Sequence, residues 1–398
     1  MRQTLALLAI LAAVDGAAAQ EFKFKPQEIE KNLSVGYAVT LVDVDGDGKK
    51  DIVVVDTNRV LWYQNPTWKP RVMIQGGTKP DNVCIAAHDI DGDGKIDFAL
   101  GADWKPFNTA SGGTLHWLKR GPTLEDPWTL YPIDTEPTVH RIRFIDIDGS
   151  GQPALVSVPL MGRNATAKAN WMDGQPVRVT AYRIPKDPTR DRWTPDVLDE
   201  SLHVVHNFAG IPGSGKGQDI LAASYEGVSL LSNANGKWTA RRIGAGNQAD
   251  LTKNRGASEI KQGTLKGGRK FIATVEPWHG NQVVVYTEPT DPKGMRVRNV
   301  IDDELKWGHG VWTADLDGDG SDELIIGVRD DGGAQKKGVR IYRATDERGS
   351  KWSRQIIEDG GVAVEDLAAA DLDGDGRVDI VAVGRATKNA RIYWNQGK

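Results

Sequence analysis

The string DVDGDGKKDIVVV, from Asp43 to Val55, returns along the chain. It recurs as DIDGDGKIDFALG from Asp89, DIDGSGQPALVSV from Asp146, DLDGDGSDELIIG from Asp315 and DLDGDGRVDIVAVG from Asp371. Two eroded copies, GIPGSGKGQDILAAS from Gly210 and GTLKGGRKFIATVE from Gly263, fill the gap between them. Units this short bury their apolar faces only by packing on one another, which restricts the chain to repeat architectures. Seven units spaced by 46 to 64 residues suit propeller blades. A β-sandwich or two small β domains would not need seven such copies.

The rest of each unit supplies the strands of a blade. An apolar run such as DIVVV follows each loop. A third run ends in aromatics in most copies: VLWYQNP, TLHWLKRG, VVVYTEP, VRIYRAT and ARIYWNQ. A fourth often opens with tryptophan: Trp68, Trp128, Trp193, Trp238 and Trp352. The last unit has no room for a fourth strand before Lys398, and Phe22 to Glu30 has no blade of its own. The expected fold is therefore all-β: a seven-bladed β-propeller of four-stranded antiparallel blades over 20–398, closed by the N-terminal strand.

The loops are rich in carboxylates. A DxDGDGxxD loop offers oxygens at positions 1, 3, 5 and 9 and a backbone carbonyl at 7, which suits calcium. Four loops are complete: Asp43, Asp45, Asp47, Asp51; Asp89, Asp91, Asp93, Asp97; Asp315, Asp317, Asp319, Glu323; and Asp371, Asp373, Asp375, Asp379. The Asp146 copy has Ser150 and Ala154 at positions 5 and 9, so weak or no calcium binding is expected there. The expected role of the ion is structural, at the turn between first and second strands.

Residues 1–19 read as a signal peptide, with Arg2, an apolar run from Leu5 to Val14, and Ala17 to Ala19 as the cleavage region. No run is long enough to span a membrane. A single cysteine, Cys84, excludes an intrachain disulfide. The expected location is secreted or periplasmic. A net charge of −4 without a basic block argues against nucleic acid as a partner.

Most of the seven histidines fall in one layer. His140 and His309 each lie six residues before the first Asp of a loop, and His203 and His206 lie near the same level in the fourth unit. His279 sits between the second and third strands of the fifth unit, on the same face. Imidazoles converging on one end of a channel point to a transition metal, zinc first, with an open coordination position. Glu365 and Tyr37 are the counterparts of His140 and His309 in other blades. Glu259, Lys261, Glu276, Trp278, Trp104, Lys105, Tyr225 and Glu226 join the layer. Such a mixture of acids, lysine and aromatics suits a carbohydrate pocket.

The DxDGDG repeats resemble the FG-GAP/VCBS propeller family, over nearly the whole chain after the leader. The strings LHVVHNF, EPWHGNQVVVY and KWGHGVWTADLDGDG are similar to the propeller domain of aldos-2-ulose dehydratases, fungal lyases that remove water from keto-sugars such as 1,5-anhydrofructose. That resemblance implies zinc in a central cleft, with His140, His203 or His206, and His309 as ligands. It implies His279 and Glu276 in the substrate pocket. The family also carries cupin and lectin-like domains, which have no counterpart in these 398 residues. The sequence thus reads as a zinc-dependent carbohydrate lyase acting by β-elimination, with His279 or Glu276 as base. One alternative is a non-catalytic, calcium-stabilised glycan- or protein-binding propeller. Another is a metal-independent polysaccharide lyase using Tyr37, Arg59 and Arg141.

Overall fold

The computed structural model describes residues 21–331 and 336–398. The expected signal peptide at 1–19 lies outside the described residues. Seven separate four-stranded antiparallel sheets run in chain order. Blade one is built from Ala38–Val42, Asp51–Asp56, Arg59–Gln64 and Lys69–Gln75, and the others repeat that meander. Each first strand packs against the first strands of both neighbouring blades, and the seventh packs against the first. The ring is therefore closed, as the repeats predict.

Closure uses the N-terminal strand. Phe24–Glu30 pairs antiparallel with Ala390–Asn395 and becomes the outer strand of blade seven. The second strands carry the core. Asp51–Asp56, Asp97–Ala102, Ala154–Pro159, Glu323–Val328 and Asp379–Gly384 are buried at every position. A strand covered on both faces needs a continuous apolar run, and DIVVV and DIVAV are such runs. Outer strands such as Trp352–Asp359 are half exposed, with no fully buried position.

Two repeated contacts, one or both of them, tie every blade except the fifth to the one before it. In the first, a side chain at or just after the end of the third strand donates to the carbonyl of loop position 2 in the preceding blade. Asn65 Nδ2 donates to Leu372 O at 2.7 Å, Asn395 Nδ2 to Leu316 O at 2.8 Å, and Asn233 Nδ2 to Ile147 O at 3.2 Å. Arg120 does the same to Val44 O. In the second, a third-strand tyrosine hydroxyl donates to an acid on the preceding outer strand. The pairs are Tyr63–Glu30 at 2.9 Å, Tyr182–Asp134 at 3.0 Å, Tyr342–Asp302 at 2.7 Å and Tyr393–Glu358 at 3.1 Å. Hydrogen bonds to charged acceptors stabilise by about 1.5–3 kcal/mol each.

Asn395 is 1% exposed, and its amide also donates to Val378 O at 3.2 Å. Asn395→Ala leaves one buried and one half-buried carbonyl short of a donor. The expected loss of stability is about 1–3 kcal/mol, measured as a lower urea midpoint at unchanged slope.

Candidate metal centre and adjoining pocket

The four complete loops share one geometry. The first Asp accepts hydrogen bonds from the backbone inside its own loop: Asp43 takes Gly46 N at 2.7 Å and Gly48 N at 2.9 Å. The ninth residue ties the loop to the third strand: Asp51 accepts from Val44 N and Asn65 N, and Asp379 from Leu372 N and Asn395 N. One oxygen each from positions 1, 3 and 9 comes within 4.8 Å of the others: Asp43, Asp45, Asp51; Asp89, Asp91, Asp97; Asp315, Asp317, Glu323; Asp371, Asp373, Asp379. The position-5 residues Asp47, Asp93, Asp319 and Asp375 stand outside these groups. Each instead accepts from the backbone N–H two residues on, as Asp47 does from Lys49 N at 2.8 Å. Burial pushes Asp51, Asp97 and Asp379 up to about 6, and Glu323 up to about 8.

Four histidines meet at the opposite end of the channel. The rings of His140 and His206 lie 4.6 Å apart, those of His206 and His279 4.4 Å, and those of His279 and His309 4.6 Å. The backbone explains two of them. In blade three Val139 pairs with Pro159 and Arg141 with Val158, which leaves His140 without a partner. In blade six Gly308 and Gly310 pair with Val328 and Gly327, which leaves out His309. Glu365 is left out in the same way in blade seven. An extra residue in a bulge re-aims its side chain. His279 is held differently, with φ at 51° in the tight turn EPWHG. A Cβ on Gly280 would sit 2.3 Å from the Glu276 carbonyl carbon, so this turn requires glycine.

His206, His279 and His309 form the tight group, with ring nitrogens within 4.8 Å of one another. His206 Nε2 and His279 Nε2 are 2.6 Å apart. Oxygens orient the other nitrogens. His309 Nδ1 donates to Glu365 O at 2.5 Å, and Glu259 Oε1 lies 2.7 Å from His206 Nδ1, off the line of a good hydrogen bond. Burial drives His206 and His279 well below the usual imidazole range, and His309 below it. Imidazoles whose ring nitrogens converge, with one of them held by a backbone carbonyl as His309 is by Glu365 O, are the kind of donor set a transition-metal site uses. The residues present therefore fit zinc.

Beside this group lies a cavity of about 600 Å³, lined by Asn170, Asn254, Trp278, Asn281 and Trp307 among others. Trp278 stacks on His279 at 4.2 Å and 10°. Tyr225 OH reaches Asn254 at 3.2 Å.

A family model described as "Aldos-2-ulose dehydratase, beta-propeller domain" matches residues 112–289, and "FG-GAP-like repeat" matches 22–100 and 315–382. The chain is similar to the aldos-2-ulose dehydratase propeller. Aldos-2-ulose dehydratase of Phanerodontia chrysosporium is 28% identical over 301 residues, 69% of this chain and 32% of that protein. The chain thus spans about a third of the length of this curated relative. Among solved structures, a chain of "Crystal Structure of Mitotic Checkpoint Complex" is 11% identical, covers 99% of this chain and 100% of its own, and has a TM-score of 0.58. A chain of a BBS1N–ARL6DN complex is 12% identical, with coverages of 94% and 96% and a TM-score of 0.55. These two show the propeller fold alone. The segment similar to the dehydratase holds His140, His203, His206 and His279, while His309 falls outside both matches.

Several expected site residues are placed elsewhere. His203 does not join the histidines: its Nδ1 is 3.0 Å from Glu226 Oε1, so His206 is the one that faces the channel. His140 touches the group only through its ring. Its Nδ1 donates to His206 O at 2.9 Å, and Arg141 NH1 lies 3.4 Å from its Nε2. Glu276 does not line the pocket. It turns back into blade five, accepting from Thr274 Oγ1, Tyr286 OH and Arg298 Nε at 2.9, 2.6 and 2.8 Å. Tyr37 OH is spent on Asp81 at 2.9 Å. Arg59 is bound to Asp56 and Asn32 O, while Arg141 lies in the channel, so the constellation of Tyr37, Arg59 and Arg141 is not brought together. Lys261 lines the channel deeper in, against Trp312. The pocket residues Asn170, Asn254 and Trp307 were not singled out. Trp307 carries a sequence signal in KWGHG, whereas the two asparagines carry none.

Glu276→Gln tests its reassignment. A fully buried pair broken on one side costs about 3–5 kcal/mol. Arg298 is 25% exposed, so about 2–3 kcal/mol is expected here. Urea unfolding reads that loss, and metal content per chain should stay as in the wild type.

Proposed function

We propose that this chain is a carbohydrate lyase that removes water from a ketone-bearing sugar, with zinc held by His206, His279 and His309. The observation that carries the reading is three neutral imidazoles converging beside a pocket lined by tryptophans and amides. The similarity to a dehydratase propeller supports the same chemistry. When bound, the ion supplies a Lewis acid for a carbonyl oxygen.

The chain's own residues do the rest. Trp278 and Trp307 offer faces for a sugar ring, and Asn170, Asn254 and Asn281 offer donors and acceptors for its hydroxyls. Dehydration requires that the proton beside the carbonyl leave and the β-hydroxyl depart. Glu276 is committed to Arg298 and His279 to the metal group, so neither serves as base. His203 serves. Its Nδ1–H donates to Glu226, which leaves the lone pair on Nε2, and the side chain is 20% exposed. Burial pushes Glu226 up, but the hydrogen bonds from His203 outweigh it and hold the carboxyl below its usual range. A charged Glu226 then fixes the tautomer of His203.

Metal content and turnover of 1,5-anhydrofructose separate these roles. His206→Ala and His309→Ala should each lose the stoichiometric zinc and the activity. His203→Asn should keep the zinc and lower kcat by about 10²–10⁴-fold. Wild-type metal content and rate in His309→Ala would overturn the reading. Zinc without turnover of any keto-sugar would return the chain to a glycan-binding role.

The four complete loops are proposed to hold structural calcium, in a protein that works outside the cytoplasm at millimolar calcium. The sign of the pH dependence follows from burial. Carboxyls raised in the metal-free fold favour it below about pH 4, where both states are protonated. That contribution is lost as pH rises through about 6 for the aspartates and about 8 for Glu323. A cation reverses the effect. Chelated protein should therefore lose thermal stability from pH 5 to 8, and the rise in Tm on adding calcium should be larger at pH 8 than at pH 5.

A further inference from the structure

The channel below the histidines holds a second group that the dehydratase reading leaves unused. It is a cavity of about 500 Å³ formed by the first strands of the blades. Its lining includes Val42, Lys50 and Ala370, which sit beside the acidic loops, so it belongs to the face opposite the histidines. Lys261 reaches into it from blade five. Its ammonium lies 4.2 Å from the centre of the Trp312 ring, and among the described residues no carboxylate comes within ion-pair distance of it. Arg141 and Arg143 from blade three, Glu259 from its own strand and Asp366 from blade seven line the same cavity.

The acids are already committed. Glu259 Oε2 accepts from Asn207 Nδ2, and its other oxygen faces His206. Asp366 accepts from Val39 N at 3.0 Å and from Leu367 N. The lysine is thus walled by an indole, two guanidiniums and engaged carboxyls, in a space large enough for a small organic molecule.

We infer that Lys261 is a nucleophilic amine that captures small aldehydes or ketones in the channel as an imine. Desolvation lowers its pKa to about 7; the charge of Arg143 pushes in the same direction, and Asp366 and Glu259 oppose it. An amine desolvated beside another cation is the usual form of an activated lysine. The neutral Nζ adds to the carbonyl carbon, forming a C–N bond, and the carbonyl oxygen takes up the amine proton. The carbinolamine then takes a proton from water in the channel and loses its hydroxyl as water. The imine nitrogen gives up its remaining proton to the same solvent, so the proton is returned. One water leaves, and nothing is oxidised or reduced.

The test uses the folded wild-type protein, glyceraldehyde as probe and cyanoborohydride as trap, with peptide mapping by mass spectrometry. At pH 7 an amine of this kind has about a thousand-fold larger neutral fraction than an ordinary lysine. Labelling of Lys261 should outpace that of the exposed Lys186 by at least about tenfold. Its pH profile should level off just above 7, while that of Lys186 keeps rising. Lys261→Arg, which keeps a cation in place, should lose the fast label and keep the slow ones. The inference fails if Lys261 labels no faster than Lys186, or if its profile follows that of the exposed lysines. Neither result bears on the zinc site, because His309→Ala should retain the fast label.

Discussion

The fold depends on the pairing of Phe24–Glu30 with Ala390–Asn395. Without it, the last blade would present an open edge and the ring would have two ends. With it, every first strand has a neighbour on both sides, and side chains from blades distant in sequence meet across one channel. The rings of His206 and His309 come within 5.0 Å of each other only because the circle is complete. The tyrosine–acid contacts serve the same end. The junction of blade seven with blade one uses Tyr63 and Glu30, and the closing strand provides the acid.

Within that ring, the bulges decide which residues face the centre. His140, His309 and Glu365 occupy the same unpaired position in blades three, six and seven. A regular strand would pair this residue and set its side chain by simple alternation. The bulge frees it, and the chain uses that freedom for two imidazoles and one carboxylate. Glu365 acts through its backbone as well, since its carbonyl orients His309.

What the sequence made legible is what repeats. The blade count, the strand order and the closing strand follow from seven copies of one pattern. The level of His140, His309 and Glu365 follows because each stands six residues before a loop Asp. His279 could be assigned to the right face, but not to the tight group with His206 and His309. Its backbone takes a left-handed φ that no periodicity encodes. Glu276 lies only three residues earlier, yet it turns away, because Tyr286 and Arg298 of the same blade supply its partners. His203 and His206 could not be separated, because the fourth unit has lost the loop that sets the register. The pocket asparagines come from long connections that repeat nowhere else.

The eroded turns show how the chain does without carboxylates. In blade four, Gln218 donates its N–H to Asp146 O at 2.7 Å and accepts Asp146 N at 3.0 Å. A Cβ on Gly217 would lie 2.7 Å from the Ile147 carbonyl carbon, so the two turns are in direct backbone contact. In blade five, Thr264 and Asp322 exchange the same kind of pair at 2.7 Å each. The turns of blades four and five are thus held by their neighbours rather than by a clustered set of acids. These are the blades that contribute His206 and His279. Among the described residues, the acidic groups at one end of the channel and the imidazoles at the other share no side chain. Replacing a loop carboxylate therefore takes nothing directly from the histidine group.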